Sequence, residues 1–186
     1  PITVFSRDDI EKIQPEKMAD LFKAVPGVEI DGEGPFRGLP VIRGLSSNRV
    51  LILVDGQRLN NSRESTTFAG IQPALVNLSE VERIEVLRGP ASVQYGSDAI
   101  GGVINIITRS AAETQGTLVS LTAGNEVKGI GTVRHGGQLK NGMDYRVYAK
   151  FNSYDSGYNA DGAHDDWRSG QLGFRSDWVK TERDTV

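Results

Sequence analysis

Gly96, Gly101 and Gly102 lie close together in the stretch RGPASVQYGSDAIGGVINIIT, Arg88–Thr108. Glycines grouped like this can let backbone N–H groups cradle a phosphate. The spacing argues against that chemistry. A P-loop requires G-x-x-x-x-G-K-[ST], whose lysine reaches the phosphates, and GSDAIGGV contains no lysine. A dinucleotide fingerprint needs glycines that follow a strand and open a helix. Here the strand-like run Val103–Ile107 comes after the glycines. Catalytic side chains are equally scarce. The chain has no cysteine, which removes thiolate metal sites, disulfides and cysteine nucleophiles. Its two histidines, His135 and His164, are far apart in sequence, and no nucleophile–base pair is evident. The chain reads as a non-enzyme.

One segment offers metal-binding oxygens. DSGYNADGAHDD, Asp155–Asp166, presents Asp155, Asn159, Asp161, Asp165 and Asp166 as candidate calcium ligands. It fails the EF-hand spacing because Gly157 stands where a ligand is needed, so a plain hydrated loop is the favoured reading. His164, beside Asp165, reads as an exposed residue rather than a haem ligand.

The 186 residues carry 21 Lys+Arg against 24 Asp+Glu, a formal net charge of -3. That balance offers no footprint for nucleic acid. No apolar run is long enough for a spanning helix, although spanning β-strands alternate and leave only a weak signal. The opening Pro1-Ile2-Thr3-Val4 lacks the basic and apolar regions of a signal peptide and reads as the interior of a longer precursor.

Two regions with different periods must position these residues. Residues 1–110 read as mixed α and β. Expected strands are Ile2–Phe5, Val28–Ile30, Val41–Arg43, Val50–Val54, Ile84–Leu87 and Val103–Ile107. The continuous apolar run Val50–Val54 suits a strand covered on both faces and ends in a turn at Asp55-Gly56. Helices are expected at Arg7–Ile13, capped by Ser6 with Asp8 and Asp9 in its first turn, and at Glu16–Ala24, stopped by Pro26-Gly27. Ser79 is expected to cap a helical turn over Glu80–Arg83, and Ala91–Tyr95 to form a short helix ended by Gly96.

Residues 111–186 alternate with a period of two. In DYRVYAKFNSY, Asp144–Tyr154, one face holds Tyr145, Val147, Ala149 and Phe151; the other holds Arg146, Tyr148, Lys150 and Asn152. Arg168–Trp178 repeats the pattern, and Thr117–Ala123 and Ile130–Gly136 are glycine-diluted versions. The pattern predicts about four antiparallel strands in a meander, long enough to cross a bilayer at a tilt. A soluble meander alternates in the same way. Aromatic residues near strand ends, Tyr145, Tyr154, Trp167 and Trp178, favour the membrane alternative.

Three pieces of the first region, in order, carry a family resemblance: DLFKAVPGV (Asp20–Val28), VIRGLSSNRVLILVDGQRL (Val41–Leu59) and VERIEVLRGPASVQYGSDAIGGVINIIT (Val81–Thr108). The chain resembles the plug domain of TonB-dependent outer-membrane receptors, followed by the first strands of their barrel. The resemblance implies an α+β plug, a small mixed β-sheet with flanking helices, at residues 1–110. It implies that residues 111–186 are antiparallel strands of a large transmembrane β-barrel of about 22 strands, truncated here. It also implies a place in the Gram-negative outer membrane, among its lipids, and TonB-driven import of a scarce, bulky solute. That solute would be a ferric siderophore or haem, with cobalamin, or ligand sensing without transport, as alternatives. No resident cofactor is implied. The TonB box of the family would lie ahead of Pro1, so no residue here is assigned to TonB contact.

The resemblance also assigns sites. Arg43 and Arg88, each expected to end a strand before a glycine, match plug arginines that pair with barrel glutamates and lock the plug in place. Two polar loops, Asp31–Pro40 and Asn60–Gly70, would form part of the plug's outward apex. There Phe36, Arg37, Asn61, Arg63 and Phe68 combine aromatic, cationic and amide groups suited to an anionic chelate or a porphyrin.

Overall fold

The apolar run Val50–Val54 forms a strand shielded on both faces, and the first unit is built around it. The structure, a computed structural model, describes residues 2–13, 15, 18–31, 38–45, 49–59, 76–96, 98–124, 127–154 and 167–178. The chain divides into two units, Pro1–Thr108 and Arg109–Val186.

The first unit contains β1 (Ile2–Phe5), α1 (Arg7–Ile13), α2 (Met18–Lys23), β2 (Val28–Asp31), β3 (Leu39–Ile42), β4 (Val50–Val54) and β5 (Gln57–Arg58). A 3-10 turn at Leu78–Glu80, β6 (Val81–Arg88), the short helix α3 (Ser92–Tyr95) and β7 (Gly102–Thr108) complete it. Among the described residues the main sheet has the order β1-β6-β7-β4-β5, with β2 and β3 forming a separate two-stranded sheet. β4 and β7 run parallel; the other pairs in the main sheet are antiparallel.

The period of two divides β4 between two cores. Val50 and Ile52 join Ile84, Val86, Ile104 and Ile106 against Ile10 of α1 and Leu21 and Phe22 of α2. Leu51 and Leu53 face the opposite way, toward Val103, Ala91 and Ala99. An apolar residue at every position of β4 is thus what a sheet covered on both sides requires.

Three local readings differ from expectation. Asn77, rather than Ser79, provides the cap, its side chain accepting from the Ser79 N–H. The turn it starts spans Leu78–Glu80, and β6 already begins at Val81. Strand pairing with β7, Val81 opposite Thr108 and Arg83 opposite Ile107, extends over residues whose local sequence would also allow a helical turn. The third difference is at Arg43, which lies outside β3.

The second unit contains a 3-10 turn (Ala112–Thr114), β8 (Gly116–Thr122), β9 (Val127–Gln138), β10 (Asp144–Tyr154) and β11 (Trp167–Asp177). These strands form an antiparallel meander in the order β11-β10-β9-β8. The β9–β10 corner is tight. Gly142 N donates to Leu139 O at 2.9 Å, and Gly142 has a φ of 81° that suits glycine.

The polarity of this sheet is inverted relative to a soluble one. Val119, Val133, Ala149 and Leu172 lie in one row across the four strands. Leu172 is 87% exposed and Phe174 70% exposed. The alternate face carries Thr132, Arg134, Arg146 and Asn152, all buried. Apolar side chains outward and polar side chains inward is the arrangement of a strand that faces lipid on one side and a barrel lumen on the other. No helix among the described residues is long and apolar enough to cross a membrane.

Candidate functional site

The glycine-rich segment 88–102 is a piece of close packing. Gly89 N donates to Gly101 O at 3.1 Å, Ala91 N to Ala99 O at 2.9 Å, and Gly101 N to Arg49 O at 2.7 Å. A Cβ on Gly101 would stand 3.0 Å from Arg49 O, and one on Gly102 would collide with Leu87 O. Gly96 ends α3 with a φ of 86°. Gly101 and Gly102 are needed because backbone meets backbone, and Gly96 because of its positive φ. The Arg58 guanidinium closes the segment, donating to Tyr95 O and pairing with Asp98 at 3.2 Å.

Arg88 ends β6 as expected. Its Nη1 donates to Pro26 O and its Nη2 to Thr3 Oγ1 at 3.4 Å. One side chain therefore ties β1 to the corner that follows α2. Its Nε is buried with no partner among the described residues.

Arg43 is in a different setting. Ile42 and Leu45 exchange backbone hydrogen bonds of 2.9 and 3.0 Å around Arg43-Gly44. Arg43 has a φ of 53° and Gly44 of 74°, so the pair forms the corner of a type I′ turn. Arg43 is exposed there. The expectation that both arginines end strands therefore holds for Arg88 and is corrected for Arg43. The sequence VIRG reads as strand because its β-branched residues mask a turn that needs two positive φ values.

The proposed solute-facing residues Phe36, Arg37, Asn61, Arg63 and Phe68 lie outside the described residues, as do the calcium candidates Asp155, Asn159, Asp161, Asp165 and Asp166. Among the described residues no group of three or more His, Cys, Asp or Glu side chains could hold a metal ion.

Sequence reasoning missed one relationship. Asp55 N donates to Ile106 O at 2.9 Å, and the Asp55 carboxylate accepts from both the N–H and the hydroxyl of Thr108. The β4–β5 corner thereby grips the end of β7, the last strand of the first unit. VDG signals a turn in sequence but says nothing of a partner 53 positions away.

Residues 1–103 match the family described as TonB-dependent Receptor Plug Domain. The vitamin B12 transporter BtuB of Vibrio vulnificus is 43% identical over 129 residues, covering 68% of this chain and 20% of the transporter. The iron-regulated outer membrane virulence protein of Vibrio cholerae is 50% identical over 111 residues, covering 58% of this chain and 17% of that protein. The siderophore receptor PirA of Pseudomonas aeruginosa superposes with a TM-score of 0.70 at 30% identity, covering 97% of this chain and 31% of PirA. The chain thus spans about a fifth of the curated relatives' length. These relatives are transporters and receptors rather than enzymes. The plug sheet, its flanking helices and the inverted meander agree with this match, and the chain belongs to the family of TonB-dependent receptors of the Gram-negative outer membrane.

Proposed function

We propose that this chain is the plug and first barrel strands of a receptor that imports a scarce, bulky solute into the periplasm by TonB-driven rearrangement of the plug. The observation that carries this reading is one chain joining a plug-type mixed sheet to a meander with its apolar face outward. A ferric siderophore or haem is the first substrate class. The likeness to the iron-regulated protein and to PirA supports it. Cobalamin is the second, favoured by the likeness to BtuB over 129 residues.

In this reading Phe36, Arg37, Asn61, Arg63 and Phe68 meet the solute, and Arg43 and Arg88 lock the plug to barrel carboxylates. The buried Nε of Arg88 supports the second assignment, because it is a donor with no partner among the described residues. Breaking a buried charge pair costs about 3–5 kcal/mol, so such a pair can serve as a lock.

The test is uptake by cells that express the full-length receptor, with and without TonB. Ferric siderophores, haem and cobalamin are offered separately. TonB-dependent accumulation of one of them is expected, weakened by Arg88→Ala. Failure to take up any of the three with an intact barrel overturns the reading.

A further inference from the structure

The segment that leads into β8 is laid across the buried, polar face of the second unit. Ala111 and Thr114 have no exposed surface, and Arg146, which they cover, is 3% exposed. Arg146 Nη1 donates to Arg109 O at 2.8 Å and to Thr114 Oγ1 at 3.2 Å. Ala111 N donates to Asp177 Oδ2 at 2.6 Å. Gln115 Nε2 donates to Asp144 Oδ1 at 2.8 Å. Gly136 leaves room for the crossing, because a Cβ there would collide with Thr114 O. Residues 109–115 are therefore seated on β9, β10 and β11 before the chain enters β8 at Gly116.

The segment is also stiff in itself. Ser110 N and Ser110 Oγ donate to Glu113 Oε2 at 2.8 and 2.7 Å, and Glu113 N donates back to Ser110 Oγ at 3.3 Å, a reciprocal cap. Thr114 Oγ1 donates to Ser110 O at 2.9 Å. On the wall, Arg175 Nε holds the Asp177 carboxylate at 2.9 Å and so aims it at Ala111. Each tie from the segment to β10 or β11 has a charged partner, Arg146, Asp144 or Asp177, which makes it stronger than a neutral hydrogen bond. The anchors fall in two adjacent rows of the sheet. Gly136, Arg146 and Arg175 share one, and Gln138, Asp144 and Asp177 the next. These rows adjoin the tight corner at Gly142, and in outer-membrane barrels the short turns are periplasmic.

We propose that residues 109–115 are a fixed strap for transport, with Arg146 and Asp177 as its positioning residues. The strap stays seated while TonB rearranges the plug, and the pull that arrives along the chain at Arg109 is shared among three strands. The proposal rests on the transport reading given above. Among the described residues β8 pairs only with β9. A pull applied directly at Gly116 would load that one pairing from its end, one hydrogen bond after another. The strap's ties run to Arg146, Asp144 and Asp177 on two other strands, and its backbone rests on Gly136 of β9, so they resist together. Thr108, the residue before the strap, is itself held by Asp55. The chain is thus bonded on both sides of the Thr108–Arg109 peptide, and the strap is a separate, anchored piece.

The test uses the full-length receptor in cells, with Ala111→Cys as its sole cysteine. This change keeps the Ala111 N–H, and the new thiol reports whether the strap is seated through its rate of reaction with a small maleimide. Labelling is followed during uptake of a ferric siderophore, haem or cobalamin, whichever the receptor imports, in cells with and without TonB. Slow labelling, equal in both, is expected. Adding Arg146→Ala should speed labelling about tenfold more with TonB than without. Arg146→Lys should restore slow labelling. Thr114→Val, which removes a single hydroxyl, should shift labelling in the same direction as Arg146→Ala and serves where that variant does not assemble. Fast TonB-dependent labelling with Arg146 intact overturns the proposal, because the strap then leaves the wall during transport. Equal labelling of the Arg146→Ala and Thr114→Val receptors with and without TonB also overturns it, because the ties then carry no pull. A receptor that imports none of the three solutes defeats the transport reading instead, and does so before any labelling is done.

Discussion

Asp55 holds Thr108 through both carboxylate oxygens, Oδ1 accepting the backbone N–H at 2.8 Å and Oδ2 the hydroxyl at 2.6 Å. A carboxylate acceptor makes these bonds stronger than neutral ones, and their exposure to water reduces the gain. Asp55 also sits at a φ of 49°, where a short polar side chain is better tolerated than alanine. Asp55→Ala should therefore loosen the end of β7 by about 1–2 kcal/mol. Asp55→Asn, which still accepts the N–H and still tolerates the turn, should cost less. Hydrogen exchange at the Thr108 amide of the full-length receptor measures this. Equal protection in wild type and Asp55→Ala would show that the grip contributes nothing.

The elements were legible in sequence wherever local pattern and tertiary burial agree. Asp144–Tyr154 forms over the expected residues because each alternate side chain meets a consistent environment on its own face. The doubly covered strand Val50–Val54 was legible for the same reason. What escaped was either long-range or rare. The Asp55–Thr108 grip depends on a parallel pairing that no local window contains. The corner at Arg43 depends on a backbone conformation that arginine does not advertise. Of the proposed sites, only Arg43 and Arg88 fall among the described residues, so the solute-facing loops rest on resemblance alone.

The corner at Arg43 yields a prediction that separates stability from function. A left-handed conformation costs a residue with a Cβ roughly 1–2 kcal/mol that glycine is spared. Strain retained at an exposed position points to a role for the side chain. Arg43→Gly should leave the plug as stable as wild type or about 1 kcal/mol more so, while reducing solute uptake if the guanidinium is part of the lock. Thermal unfolding and uptake, measured on the same full-length variant, test both halves. Undiminished uptake would remove Arg43 from the lock.

The start of α1 has a predictable pH response. Ser6 N and Ser6 Oγ both donate to Asp9 Oδ2, at 3.0 and 2.6 Å, and Asp9 N donates back to Ser6 Oγ at 3.3 Å. This reciprocal cap holds the Asp9 carboxyl below its ordinary value, chiefly through the Ser6 hydroxyl and next through the Ser6 N–H. The folded pKa lies below the unfolded one, so the contribution to stability is complete above the unfolded value. It is lost as pH falls through the folded value, below about pH 4. Ser6→Ala should return Asp9 toward the ordinary carboxylate range in an NMR titration. An unchanged Asp9 titration in that variant would mean that Ser6 is not the cause.

The inverted polarity of the meander makes the sharpest test of its membrane setting. Leu172 lies midway along β11 on the exposed apolar face, in the row with Val119, Val133 and Ala149. Gln171, its neighbour on the other face, pairs with Lys150. If the apolar face meets lipid, Leu172→Arg puts a cation near the bilayer midplane at a cost of about 2–4 kcal/mol. Gln171→Glu, which puts a carboxylate opposite Lys150 on the lumen side, should be close to neutral. If the face instead met water, Leu172→Arg would be harmless or would improve solubility, because it replaces an 87% exposed leucine. Barrel assembly of the full-length receptor, read from heat-modifiable migration and urea unfolding in lipid, distinguishes the two. Normal assembly and stability of Leu172→Arg would place this face in water.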